Sequence, residues 1–144
     1  MQKFIISLLF LSMPAFAEDV KDRNSQIGLA LGTPGGLNLV LKSHLANHPV
    51  QLSAGYIGSD TFGLEAGYRF YTNEKSLIRS VQVIAGTAKF EDLSYPNDRR
   101  VWHYVGVSST LQYGGFFVEP GLSVGSGDFT NPQLVLQGGW LWRL

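Results

Sequence analysis

Strict alternation of apolar with small or polar side chains constrains this chain more than any other feature of its sequence. Phe62, Leu64 and Tyr68, for example, alternate with Glu65 and Arg69. The same pattern occupies eight stretches, which are residues 26–32, 36–42, 50–56, 62–71, 81–88, 101–113, 116–125 and 134–143. No stretch of helical length shows a competing period of 3.6 residues. Because successive side chains of a strand point to opposite faces, the pattern predicts an all-β protein with eight strands.

Turn-forming residues separate these stretches and predict short antiparallel connections. They are Thr33-Pro34-Gly35, Gly58-Ser59-Asp60, Thr72-Asn73-Glu74, Gly114-Gly115 and residues 127–132. Gly114-Gly115 fits a two-residue hairpin turn, since both positions tolerate positive φ. Residues 91–99 are predicted to form the longest loop, and residues 42–49 a further one. Pro120 lies inside a predicted strand, where it removes a backbone donor, and is expected to mark a bulge.

The first 17 residues carry the features of a cleaved secretory signal. Lys3 supplies a positive charge, residues 4–12 form a short apolar run, and Ala15-Phe16-Ala17 is a cleavage pattern. The run is too short to cross a bilayer as a helix, which takes about 20 residues. We therefore predict a signal peptide at 1–17, a polar lead at 18–25 and one domain at 26–144.

Composition excludes several functional classes. The 11 Lys and Arg residues equal the 11 Asp and Glu residues, so no nucleic-acid partner is expected. Without cysteine, the chain cannot hold a disulfide, a cysteine-ligated metal or a thiol nucleophile. Charged residues make up 15% of the chain, whereas soluble proteins average about 25%.

The polar side of the predicted strands is dominated by Gly, Ser, Ala, Gln and Thr rather than by charged residues. Glycine on a water-facing strand weakens a sheet, whereas small side chains suit the narrow lumen of an eight-stranded barrel. Tilted strands of ten residues rise about 25 Å, the height of the apolar band of membrane barrels. The sequence therefore predicts an eight-stranded antiparallel up-and-down transmembrane β-barrel. The alternative is a secreted or periplasmic lipocalin-like barrel that binds an apolar ligand and turns its apolar face inward.

Aromatic residues concentrate near both ends of the predicted strands, as in the aromatic girdles of membrane barrels. The predicted girdle consists of Tyr56, Phe62, Phe70, Trp102, Tyr113, Phe116, Trp140 and Trp142.

The few charges on the polar side are predicted to form a lumenal network, because charges facing a lumen need partners or water. Its members are Lys42, Glu65, Arg69, Glu119 and Arg143. We expect Glu65 and Glu119 to meet Arg69, Lys42 or Arg143 and to plug the barrel. The alternative is side chains hydrated independently near the mouths.

From residue 26 to residue 144 the chain resembles the small eight-stranded outer-membrane barrels of the OmpA/OmpX type. The last strand alternates Leu134, Leu136, Trp140 and Trp142, as such barrels do, and ends in Leu144 where they have Phe or Trp. The resemblance implies a Gram-negative outer membrane, periplasmic termini and a structural or interaction role in the envelope. It also implies a monomer that contacts outer-membrane lipids, lipopolysaccharide and the barrel-assembly machinery. Eight strands leave too little lumen for a general porin.

Neither a metal nor a catalytic site is expected. His44 and His48 have i, i+4 spacing but lack an HExxH pattern. The resemblance raises one enzymatic alternative, since some outer-membrane barrels hydrolyse lipid A acyl chains with a Ser/His/acid set. Its candidates would be His103, Ser108 or Ser109, and Glu119, but position 105 is Val where those enzymes carry the Ser of an H-x-S pair. We expect no cofactor and no catalysis.

Overall fold

The computed structural model describes residues 25–58, 61–91 and 98–144. The predicted signal peptide at 1–17 and all but the last residue of the predicted lead lie outside the described residues. Residues 92–97, inside the predicted longest loop, also lie outside them.

Eight antiparallel strands close into a barrel, which confirms the all-β, eight-stranded prediction. The strands are β1 Gln26–Gly32, β2 Gly36–Leu45, β3 His48–Ile57, β4 Thr61–Thr72, β5 Ile78–Glu91, β6 Arg99–Tyr113, β7 Phe116–Gly127 and β8 Gln133–Arg143. Each strand pairs with its sequence neighbours, and β1 also pairs with β8, for example Gln26 opposite Arg143. The described part of the chain contains no helix with the length and apolarity that a membrane span needs.

The two ends of the barrel differ in their connections. One end, here called the turn end, carries the start of β1, the end of β8 and the β2–β3, β4–β5 and β6–β7 connections. The opposite end, the loop end, carries the other four connections. The β6–β7 connection is Gly114-Gly115, with Gly114 at φ 60°. This agrees with the two-residue hairpin turn predicted there.

The loop predicted at 42–49 is wrong, because the hairpin is tighter. β2 continues to Leu45 and β3 begins at His48, so only Ala46 and Asn47 connect them. Both have positive φ, 49° and 70°. This backbone matches the twist of the flanking strands and is favoured by Asn. The apolar alternation fades near this turn, although the backbone pairing continues.

The bulge predicted at Pro120 is also wrong. Ser108 pairs with Gly121 and Leu111 pairs with Val118, so the register of β6 and β7 is the same on both sides of Pro120. The proline interrupts the β6–β7 pairing between these two pairs without adding a residue to either strand.

Two register shifts occur elsewhere, close to the turn end. One lies between Arg69 and Tyr71 of β4, and the other between Ile78 and Ser80 of β5. In β4 the shift leaves both Phe70 and Tyr71 exposed on the outside. A bulge re-aims side chains in this way because one extra residue breaks the alternation.

The interior of the barrel holds many polar side chains together with two clusters of buried apolar side chains, and the outside is apolar. Asn38, Gln51, Gln82, Glu119 and Gln137 are all buried. Large apolar side chains instead cover the outer wall, here meaning the outward-facing surface of the eight strands. Leu, Val, Ile and aromatic residues of every strand are exposed there. Apolar exposure this extensive is rare on a water-soluble monomer.

Candidate functional site

Glu119 of β7 lies at the centre of the polar lumen with 2% of its surface exposed. Its Oε1 accepts hydrogen bonds from the side-chain amides of Gln51 at 2.7 Å, Gln82 at 2.8 Å and Gln137 at 3.2 Å. All three glutamines lie on other strands and share the inward parity of their own strand. A carboxylate oxygen is the acceptor that three converging amide donors require.

Lys42 of β2 provides the balancing positive charge. Its Nζ lies 3.2 Å from Glu119 Oε2 and donates to Thr110 Oγ1 at 2.8 Å. The Thr110 hydroxyl donates in turn to Oε2 at 2.8 Å. Lys42 Nζ also lies 5.2 Å from the centroid of the Phe117 ring, within cation–π range. The two opposite charges are thus buried together. The carboxylate oxygens of Glu119 also accept hydrogen bonds from neutral side chains.

We call Glu119, Lys42, Gln51, Gln82, Thr110 and Gln137 the Glu119 cluster. Its members come from six of the eight strands, so the cluster crosses the lumen from wall to wall. Each glutamine turns its NH₂ group to Glu119, and its own Oε1 has no hydrogen-bond partner among the described residues. The amides are therefore oriented by the carboxylate, which is the strongest acceptor available to them.

Glu65 and Tyr104 form a separate buried pair nearer the loop end. The Tyr104 hydroxyl donates to Glu65 Oε2 at 2.6 Å. Glu65 therefore satisfies its carboxyl with a phenol, whereas the sequence predicted a basic partner. The difference arises because Gly86 leaves room for the Tyr104 ring; a Cβ at position 86 would lie 2.6 Å from it.

An aromatic cap closes the lumen beyond Tyr104. Trp102 is only 4% exposed, and its ring meets Phe129 edge-on at 6.0 Å, while Phe90 meets Phe129 at 5.7 Å. A small cavity of about 90 Å³ lies among these rings. The prediction that Trp102 belongs to the outer girdle is therefore wrong. Trp102 shares the inward parity of Tyr104 and faces the lumen.

The other seven residues of the predicted girdle are exposed on the outer wall. Tyr56 and Phe62 are directly opposite each other near the loop end. Phe116 and Trp140 are opposite each other near the turn end. The two groups of aromatic side chains are thus separated along the barrel axis.

Arg69 is buried but does not join the Glu119 cluster through a hydrogen bond. Its Nη2 donates to the carbonyl oxygens of Ser43 at 2.9 Å and Val50 at 3.4 Å. Arg143, the last residue of β8, is exposed at the rim and also stands apart from the cluster. Its position at a strand end explains this, because its inward parity there leads only to the mouth of the barrel.

A cavity of about 550 Å³ opens at the turn end. Four basic side chains line it: Lys42, Arg69, Arg79 and Arg143. We call these four residues and the space between them the basic cup. Glu74 also lines it, as do residues of the last strand, Trp140 and Trp142.

The histidines do not assemble a site. Within the described ranges no three His, Asp or Glu side chains are grouped closely enough to hold a metal ion. His44 and His48 flank the Ala46-Asn47 turn rather than lying in a loop, and His48 packs against Tyr68 at 6.1 Å.

The structure does not bring together the residues considered for lipid A hydrolysis. His103 is exposed on the outer wall, whereas Ser108 and Glu119 are buried in the lumen. Ser109 lies opposite Val81, six residues along β6 from His103. The residue opposite His103 on β7 is Ser126, which the sequence analysis did not consider.

The predicted lumenal network lacked its neutral members. Five neutral side chains donate to the two buried carboxylates, namely Gln51, Gln82, Gln137, Thr110 and Tyr104. The sequence indicated Gln and Thr on the polar side in general, but only charged residues were assigned to the network. Their inward parity was available as a signal, because each alternates with apolar neighbours. Parity alone does not identify which inward residues meet across a closed barrel.

Comparison of the chain with protein-family models, with curated proteins and with solved structures finds no match.

Proposed function

We propose that this protein is an outer-membrane β-barrel of a Gram-negative bacterium, with a structural or interaction role in the envelope and no catalytic activity. The observation that carries the proposal is the apolar outer wall of a closed barrel whose interior contains a buried, hydrogen-bonded polar cluster.

The energetics of the outer wall favour lipid over water. Leu64, Val107 and Leu122 are each about half exposed or more, at 53%, 49% and 61%, in the middle of their strands. Burial of apolar surface contributes about 25 cal/mol per Å², so a wall of such side chains would strongly disfavour water. Soluble monomers rarely expose apolar patches larger than a few hundred Å². Lipid acyl chains would cover this wall without the free-energy cost of exposing apolar surface to water.

Closure of the sheet meets the second requirement of a bilayer. The pairing of β1 with β8 leaves no edge strand, so strand backbone groups bond within the barrel. The two exposed aromatic groups, near Tyr56 and Phe62 and near Phe116 and Trp140, suit the two membrane interfaces. Short turns mark the periplasmic side of bacterial barrels, which would place the turn end in the periplasm.

The Glu119 cluster favours a plugged barrel over a pore. Six strands contribute to it, and its central atoms lie within hydrogen-bond distance of one another. Transport through the lumen would require this cluster to open. The role that fits is therefore support of the envelope, or contact through the external loops, by a monomer embedded among outer-membrane lipids and lipopolysaccharide. The barrel-assembly machinery would insert it.

The geometry weighs against both alternatives. A lipocalin-like carrier would need its apolar face inward, yet that face is outward here. The apolar cavity beside Trp102, Phe90 and Phe129 has a volume of only about 90 Å³. A lipid A hydrolase would need a base bonded to a serine. No hydrogen bond joins His103 to Ser126 within the described part of the chain, although they lie on one face.

The test is heat-modifiability of the full-length chain in isolated outer membranes. We expect the protein in the outer-membrane fraction, with different gel mobility before and after boiling, because closed barrels stay folded in mild detergent. The matched control is a chain without residues 1–17, which should not reach that fraction. A water-soluble periplasmic protein with no mobility shift would overturn the proposal and favour the carrier.

A further inference from the structure

The basic cup at the turn end has the size and the charge of a ligand site. Its volume, about 550 Å³, falls within the range of small-molecule pockets. Among the described residues that line it, three guanidinium groups, one ammonium and the His44 imidazole stand against one acidic side chain, Glu74. The excess of positive charge points to an anionic ligand.

Lys42 does not contribute to that excess, because Glu119 already neutralises it at 3.2 Å. The floor of the cup is thus an ion pair with no net charge. The excess comes from Arg69, Arg79 and Arg143. No ion pair links any of these three arginines to a carboxylate in residues 25–58, 61–91 and 98–144.

Arg69 is the side chain that points most directly to an anionic ligand. It is 9% exposed, its Nη2 bonds only to the Ser43 and Val50 carbonyls, and its Nε has no hydrogen-bond partner among the described residues. A buried cation without a directly bonded anion is costly. An anion in the cup would lower this cost and accept the Nε–H.

Arg79 and Arg143 complete the arrangement nearer the rim. Arg79 makes one long hydrogen bond, from Nε to the Gln112 carbonyl at 3.5 Å, and Arg143 is exposed. Guanidinium groups offer planar pairs of donors that match the oxygens of phosphate. Three of them around one cavity could hold a tetrahedral anion from several sides.

We propose that the basic cup binds a phosphate group, carried either by a soluble phosphorylated molecule or by a phospholipid headgroup. Arg69 would hold the group at depth, and Arg79 and Arg143 would hold it at the rim. The binding itself does not depend on the membrane placement proposed above, because the cup belongs to the folded barrel in detergent as much as in lipid.

The first experiment titrates pyrophosphate into the full chain folded in an uncharged detergent, with heat released as the readout. We expect saturable binding, weakened at least about tenfold by Arg79→Gln and by Arg143→Gln, since each loses a charge-assisted hydrogen bond. The matched control is Arg100→Gln, which removes the same charge at the loop end and should leave binding unchanged. Rim variants are used because Arg69→Gln, a buried change, also affects folding; heat-modifiability verifies the fold of each variant.

A second measurement separates the two sources of phosphate. Native mass spectrometry counts phosphatidylglycerol and phosphatidylcholine molecules retained from mixed micelles. Pyrophosphate binding that depends on Arg79 and Arg143, without selective retention of phosphatidylglycerol, supports a soluble ligand. Selective retention of phosphatidylglycerol that depends on the same residues supports a headgroup. Absence of both, or equal losses in Arg100→Gln, would overturn the proposal.

Discussion

Replacement of Glu119 by Gln is expected to lower the free energy of unfolding by about 3–5 kcal/mol, the usual cost of breaking a buried ion pair from one side. The carboxylate accepts five hydrogen bonds, three at Oε1 and two at Oε2. A glutamine retains one acceptor oxygen and introduces an NH₂ group. Whichever way the amide is turned, that NH₂ faces groups that are themselves donors.

The two orientations differ in what they disrupt. With NH₂ in place of Oε1, it meets the amides of Gln51, Gln82 and Gln137, some of which can flip because their Oε1 atoms lack described partners. With NH₂ in place of Oε2, it meets Thr110 and the Lys42 ammonium. In both cases Lys42 is left buried with no anion beside it, so it must either keep an uncompensated charge or release its proton. The loss of that anion, more than any single hydrogen bond, sets the magnitude.

Urea unfolding of the protein in lipid vesicles, followed by tryptophan fluorescence, measures the change. Lys42→Met combined with Glu119→Gln should recover at least about 2 kcal/mol of the sum of the single losses, because the two side chains are coupled. The matched control is Glu74→Gln at the turn end, expected to stay within about 0.5 kcal/mol. A loss below about 1 kcal/mol for Glu119→Gln would show that the cluster does not hold the barrel together, since that is the size of an ordinary surface effect.

Four further results are expected. Asn38→Ala should cost about 2–4 kcal/mol in the same assay, because the buried amide bonds Gly35 N, Gly32 O and Thr33 O and so holds the β1–β2 turn. Val107→Arg should cost about 2–4 kcal/mol in vesicles while Tyr113→Arg, at the strand end, costs about 0–1 kcal/mol; equal costs would contradict a lipid-facing wall. Planar bilayers containing the protein should show no stable conductance, and discrete open levels would mean that the lumen is not plugged. Expression of the wild type or of His103→Ala should leave lipid A masses alike, and a mass loss that requires His103 would establish a hydrolase.

The fold could be predicted from local information because alternation and turn residues are local. The alternation of side chains within each segment predicts that strand without information from the rest of the chain. A closed antiparallel sheet then turns the same face of all eight consecutive strands inward. Two local predictions were wrong. Lys42, Ser43 and His44 break the apolar alternation before the Ala46-Asn47 turn, although the strand continues through them. Pro120 lacks a backbone donor, but the residues on both sides of it keep the same register. Trp102 differs from its prediction for another reason: an aromatic residue near a strand end is typical of a girdle, but Trp102 has the inward parity of its strand.

The lumenal contacts could be predicted only in part because they are set by closure rather than by sequence neighbourhood. Lys42 and Glu119 lie 77 residues apart on β2 and β7, which do not pair. Whether two inward residues meet depends on the barrel diameter and on the stagger of strands, quantities that no single strand encodes. Parity identifies which residues can face the lumen, and packing decides which of them come into contact. Gly86 leaves room for the Tyr104 ring, and the Tyr104 hydroxyl donates a hydrogen bond to the Glu65 carboxyl. Arg69 is left without a carboxylate partner in the described chain, and for that reason its end of the barrel, rather than the filled middle, offers a place for a ligand.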